Sequence, residues 1–196
     1  MNIPRIIHQI HMGHPPSDTV RGYVATISRH NPTWSHIIWD KPMLLAAGLR
    51  LDTDFYPTGS FAAMTNKIRL EVLLLFGGVY LDTDFEALDS LDALLDQNGG
   101  ALAAEQDGGR ICNAFMAAPP QHPWVRWQWD NFAKFPPNDA ASGVYLATAA
   151  PRTDLTLIPQ EWVYPWLYDT PAEKRIPHRD SLLVHHWAGS WVQKPQ

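Results

Sequence analysis

The chain has 196 residues, 45% of them hydrophobic, and a formal net charge of −5, which allows one domain with a sizeable core and supplies no basic footprint for general nucleic-acid binding. Its one cysteine, Cys112, excludes an intramolecular disulfide and, set in an apolar run, reads as a small core residue. The longest apolar run, Val72 to Phe76, is far below the roughly 20 residues of a membrane helix, and Arg5, His8, Gln9 and His11 break the first apolar stretch, so a soluble cytoplasmic protein without leader or transmembrane segment is expected.

Arg5 to His11 reads as a buried first strand, followed by the rigid loop Gly13-His14-Pro15-Pro16. Ser17 or Asp18 can cap a helix running to about His30, with Val20, Val24 and Ile27 on one face. Asn31-Pro32 stops it, and Trp34 to Trp39 forms a second strand. This strand, helix, strand order is how a nucleotide-binding α/β half begins. Lys41-Pro42 opens a short helix through about Ala47. Asp52-Thr53-Asp54-Phe55 follows in a turn-rich context with no buried strand behind it, and reads as a loop or capping feature.

From Phe61 to Phe76 the apolar residues Phe61, Met64, Ile68, Val72 and Leu75 recur at spacings of three and four, with Leu70, Leu73 and Leu74 on a second side, which predicts a largely buried helix. Gly77 and Gly78 end it, and Val79, Tyr80 and Leu81 form a short strand that stops at Asp82-Thr83-Asp84. A strand places Asp82 and Asp84 on the same face, since side chains alternate with period two. Two carboxylates that close repel, and a hard divalent ion such as Mn²⁺ or Mg²⁺ relieves the repulsion while keeping positions open for phosphate oxygens. The same four letters therefore carry a metal–diphosphate site here, at the carboxyl end of a strand, and a turn thirty positions earlier. Asn66 and Arg69 share a face of the preceding helix, and an arginine fork aimed at the acids suits a diphosphate. Lys67 and Glu71 read as rim residues.

Leu88 to Leu95 is predicted as a short amphipathic helix closed by Asn98-Gly99-Gly100, and Ala101–Ala104 and Ile111–Ala117 as strands around the turn Asp107-Gly108-Gly109. A helix opening at His122 carries Trp124 and Trp127 on one face as core anchors and Trp129 on another. From 139 to 177 the chain is rich in prolines and aromatics, with a short helix around Val144 to Ala149 and a strand around Leu155 to Ile158. That segment suits an acceptor-facing subregion. The last strand, Leu182 to Trp187, puts His185 and His186 on opposite faces, so at most one of them meets a metal held by the two aspartates.

Asn66-Lys67-Ile68-Arg69 with Phe76-Gly77-Gly78-Val79-Tyr80-Leu81-Asp82-Thr83-Asp84 resembles the signature of the DXD sugar transferases of glycosyltransferase family 32, relatives of the clostridial glucosylating toxins. Ile3 to Ile10 resembles that family's first strand, and His185 to Trp191 its closing motif. The resemblance implies a GT-A fold, an α/β domain with a central mixed sheet, over residues 1–196. It implies a retaining, metal-dependent transfer of a hexose from a nucleotide diphosphate sugar, GDP-mannose or a UDP-hexose, to a hydroxyl acceptor such as a glycan in polysaccharide biosynthesis. Asp82, Asp84 and Arg69 are then the catalytic candidates. Asp82, Asp84 and His186, or else His185, are the candidates for binding Mn²⁺ or Mg²⁺, with His186 slightly preferred. His11, Asn66, Arg69, Tyr80, Asp82, Asn113, Ser190 and Trp191 form the donor-binding set, Ser190 and Trp191 as a closing flap. The chain departs from the pattern at Asn66, where the family has aspartate, and at His11, where the toxins stack a tryptophan on the base. Two other classes remain open at this point: a non-catalytic carbohydrate-binding or degenerate protein, and a metal-dependent phosphohydrolase.

Overall fold

The computed structural model describes residues 2–12, 15–49, 61–95, 100–136 and 141–188. Strand β1 (Ile6–Ile10) is followed by helix α1 (Asp18–His30), whose first turn is capped by Ser17 Oγ accepting from the Val20 N–H. Asn31 closes that helix with its own N–H and its side-chain amide, both donating to the Ile27 carbonyl. Strand β2 (Ser35–Trp39) pairs in parallel with β1, and Asp40 then caps α2 (Lys41–Ala46). Helix α3 (Phe61–Phe76) has the predicted bounds and buries Ile68, Leu70, Val72, Leu73 and Leu74. The first Asp-Thr-Asp copy, Asp52 to Asp54, lies outside the described residues.

Strand β3 (Gly78–Leu81) pairs in parallel with β1, Ile7 opposite Val79 and His8 opposite Tyr80. Gly77 and Gly78 have φ of 62° and 99°, and a Cβ on Gly78 would stand 2.4 Å from the Ile6 carbonyl oxygen, so only glycine lets β3 enter the sheet there. The strand ends at Leu81. Asp82 to Phe85 form a turn closed by the Phe85 N–H donating to the Asp82 carbonyl, so the two acids are carried by a turn and not by a continued strand. Strand β4 (Phe85–Ala87) follows, which the sequence reading had no signal for, and the helix predicted from Leu88 shrinks to α4 (Asp92–Leu95).

Strands β5 (Ala101–Asp107) and β6 (Arg110–Ala118) form a hairpin. Helix α5 (Pro123–Asn131) starts at the His122 cap, as expected. A wide π turn, Ala141–Tyr145, leads into α6 (Leu146–Ala149), and then come β7 (Leu155–Ile158), α7 (Gln160–Val163) and β8 (Leu183–His185). Six strands make one mixed sheet in the order β2-β1-β3-β6-β5-β7, and β4 pairs with β8 in a separate antiparallel ribbon.

Alternate β3 residues feed two cores. Tyr80 joins α3, Trp124 and Val125 on one side of the sheet; Val79 and Leu81 join Ile7, Phe85, Phe115 and Tyr164 on the other. Trp127 and Trp129 pack against the first core from its margin. Cys112 is buried, and burial pushes its thiol up to about 11, as suits a packed core residue. Because β3 and β5 are each antiparallel to β6, while β1–β2, β1–β3 and β5–β7 are parallel, every strand of the large sheet but β6 points its carboxyl end to one edge. The acid turn sits on that edge. Among the described residues no helix is long and apolar enough to cross a membrane.

Candidate functional site

Asp82 is fixed at both backbone ends. Its N–H donates to the Ala114 carbonyl of β6 at 3.0 Å, and its carbonyl accepts from Gln9 Nε2 of β1 at 3.0 Å as well as from Phe85. Its carboxylate Oδ1 accepts from the Tyr80 hydroxyl at 2.8 Å and faces Arg69 Nη1 at 3.2 Å. Arg69 also donates to the Asn113 and Thr65 carbonyls, and its guanidinium lies 4.4 Å over the Tyr80 ring. Burial is the largest influence on the arginine and would lower its pKa, but the charge of Asp82, with smaller contributions from Tyr80, Cys112 and Tyr164, outweighs it and the net shift is upward. Burial likewise holds the Tyr80 phenol well above its usual range despite the pull of Arg69, so it stays a hydroxyl donor. Tyr80 and Arg69 are both buried, and they reach the site through Asp82.

Asp84 reaches towards the second sheet. Its Oδ1 lies 3.1 Å from His185 Nε2, its Oδ2 accepts from the Ala188 N–H at 2.8 Å, and its carbonyl accepts from the His186 N–H. Burial pushes its carboxyl up, yet His185 and the Ala188 N–H outweigh burial and hold it below the ordinary carboxylate range. His185 stands opposite Phe85 in the β4–β8 ribbon and stacks on that ring at 4.5 Å, with Trp187 at 4.1 Å on a tilt. Its other ring nitrogen, Nδ1, is buried without a hydrogen-bond partner among the described residues.

One ligand atom each from Asp82, Asp84 and His185 lies within 4.8 Å of the others. Two carboxylate oxygens and an imidazole nitrogen form a donor set that suits Mn²⁺ or Mg²⁺, and the residues present fit such an ion. Of the two histidines named as metal candidates, the structure brings His185 to the aspartates and not His186. The two histidines do take opposite faces, but the Phe85–His185 register turns His185 to the aspartates, while His186 Nε2 meets Glu86 Oε2 at 2.9 Å and its ring stacks on Tyr23 at 4.0 Å.

Asn66 and Asn113 are brought together beside Arg69. Asn113 Nδ2 donates to Asn66 Oδ1 at 2.8 Å, and Asn66 Nδ2 donates to Ser142 Oγ at 3.1 Å. His11 extends β1 on the same edge, its N–H donating to the Trp39 carbonyl. Lys67 lies over the Trp129 ring at 5.4 Å, and Glu105 pairs with Arg152 at 3.2 Å. Ser190 and Trp191 lie outside the described residues. Sequence reasoning missed Gln9, Ser142 and Glu86. For Gln9 a signal existed: an amide inside an apolar strand requires partners.

A family model described as the glycosyltransferase sugar-binding region containing the DXD motif matches residues 17–100, from the α1 cap past the acid turn to the start of β5. No curated protein matches the chain. Among solved structures, the chain is similar to the PaToxG glycosyltransferase, at 16% identity over 78% of this chain and 70% of that one, with a TM-score of 0.61. It is similar to the UDP-bound glycosyltransferase domain from the YGT toxin, at 11% identity over 68% of this chain and TM-score 0.50, and spans 62% of that domain's length. It is also similar to the galactosyltransferase LgtC in complex with donor and acceptor sugar analogues, at 15% identity over 94% of this chain and 87% of that one, with TM-score 0.54. The chain has the GT-A fold.

Proposed function

We propose that this protein is a metal-dependent, retaining glycosyltransferase that moves a hexose from a nucleotide diphosphate sugar to a hydroxyl acceptor, with a glycan as the acceptor class. The observation that carries the reading is the cluster of Asp82, Asp84 and His185 at the carboxyl edge of the sheet, where open α/β sheets bind ligands. The DXD family model over 17–100 and the fold shared with a UDP-bound glycosyltransferase domain and with a galactosyltransferase holding donor and acceptor sugar analogues support it. A GDP- or UDP-linked donor fits, and the UDP-bound neighbour favours uracil.

Asp82, Asp84 and His185 would hold Mn²⁺ or Mg²⁺, which supplies positive charge against the leaving diphosphate. Arg69 and Tyr80 hold Asp82 Oδ1, so its carboxylate meets the ligand already oriented. In this reading Arg69 acts on the acid, which its Nη1 faces at 3.2 Å while Nη1 and Nε also donate to the Asn113 and Thr65 carbonyls. Asn113 offers its amide to the donor sugar, and Asn66 holds it there with Ser142. His11 lines the base side, and Ser190 and Trp191 close over the donor. Residues 1–196 form one catalytic unit, with 139–177 facing the acceptor. Retention without a carboxylate nucleophile implies a same-face reaction in which a diphosphate oxygen takes the acceptor proton; a trapped glycosyl-enzyme adduct would overturn that step.

Calorimetric titration of GDP-mannose, UDP-glucose and UDP-galactose, with Mn²⁺ and with chelator, tests the reading on wild type and Asp84→Ala. One donor should bind wild type with Mn²⁺ and fail with chelator or in the variant. Absence of donor binding under every condition would leave glycan binding as the better account.

A further inference from the structure

Gln9 has no exposed surface and sits in β1 between His8 and Ile10, with both ends of its amide in use. A buried amide left unpaired would cost about 1–3 kcal/mol, so its two bonds define its orientation. The Asp82 carbonyl can only accept, which puts Gln9 Nε2 against it at 3.0 Å. Gln9 Oε1 then requires a donor, and His36 Nε2 is 2.9 Å away. Burial lowers the His36 pKa, and the neutral ring that donates at Nε2 accepts at Nδ1, where the Ser28 hydroxyl stands at 2.8 Å. The donors therefore run in one direction, from Ser28 of α1 through His36 of β2 and Gln9 of β1 to the backbone of the acid turn.

That carbonyl also closes the turn by accepting from Phe85, and the same residue's N–H is tied to Ala114 of β6. The peptide on which the Asp82 side chain is mounted is thus set by three strands, and the Gln9 bond is the one made by a side chain.

We propose that Gln9, oriented by His36 and Ser28, is a positioning residue that aims the Asp82–Asp84 turn and thereby sets the protein's affinity for a divalent ion. The inference rests on the metal-site reading above. A residue that only filled space in β1 would affect stability and leave ion affinity alone, whereas an orienting residue moves ion affinity at temperatures where the fold is intact.

Gln9→Glu keeps the shape and the acceptor for His36 but turns an oxygen to the Asp82 carbonyl in place of the N–H. Gln9→Met keeps the volume and removes both bonds. Mn²⁺ alone is titrated calorimetrically into wild type, both variants and Val125→Ala, a core truncation in α5, well below each protein's unfolding temperature. Wild type and Val125→Ala should bind alike, and the Gln9 variants about 10-fold or more weakly. If one Gln9 variant does not fold, the other gives the answer. Equal affinity in wild type and the Gln9 variants overturns the proposal and leaves the metal site standing. Absence of Mn²⁺ binding by wild type overturns the site and the proposal together.

Discussion

Asp82 shares its Oδ1 between a phenol and a guanidinium, and the two partners differ in what their loss leaves behind. Tyr80→Phe removes one hydroxyl and leaves Arg69 in place, so urea unfolding should show a loss of about 1 kcal/mol. Arg69→Met strips the charge partner from Asp82 and the donor from the Asn113 carbonyl, and should cost more, about 2–4 kcal/mol. Equal losses would mean that the hydroxyl and not the charge fixes the carboxylate. His8 makes a separate prediction in pH. Buried between β2 and β3, it accepts from Trp39 Nε1 at Nδ1 and donates from Nε2 to the Gly77 carbonyl, and burial pushes its pKa down to about 4. The unfolded chain takes up this proton below about pH 6.5 and the folded protein refuses it until about pH 4. Stability is therefore fully present above that window and falls with pH through it, by about 3 kcal/mol. His36, also lowered by burial, adds in the same sense, and the lowered carboxyl of Asp84 contributes its own loss only further into acid. The difference between wild type and His8→Gln isolates the His8 share; parallel stability curves from pH 7 to 4.5 would refute it.

The meeting of β1 with β3 depends on one backbone contact. At Gly78, φ of 99° and the Ile6 carbonyl 2.4 Å from an added Cβ exclude any side chain, so Gly78→Ala should destabilise by about 2–4 kcal/mol in urea unfolding and move the acid turn with it. A change below about 0.5 kcal/mol would show that the strand relaxes at no cost. This part of the fold was legible in the sequence because its signals are local: apolar periodicity in α3, a two-glycine stop, β-formers, then two acids. The β4–β8 ribbon was not. Its strands are three residues each and lie about a hundred positions apart, so nothing in either segment announces the other. That pairing turns His185 and not His186 to the aspartates, a placement that period-two alternation left open. The partners of Asn66 were hidden for the same reason, since Ser142 and Asn113 reach it from a remote turn and strand.

Across the molecule, the three ligand candidates come from a turn after the central strand and from the last described strand, so only the folded chain brings them together. An ion that binds the native state and not the unfolded one stabilises by mass action, about 2.7 kcal/mol at a concentration a hundredfold above Kd. For a chain of 196 residues, each kcal/mol raises Tm by about 2–4 °C, so saturating Mn²⁺ should raise it by about 5–10 °C. The gain should vanish with chelator and in Asp84→Ala. It should survive His186→Gln, because that imidazole belongs to Glu86 and Tyr23. Calorimetric unfolding scans separate the cases: a Mn²⁺ shift kept in Asp84→Ala would place the ion elsewhere, and one lost in His186→Gln but kept in His185→Gln would reverse the choice of histidine.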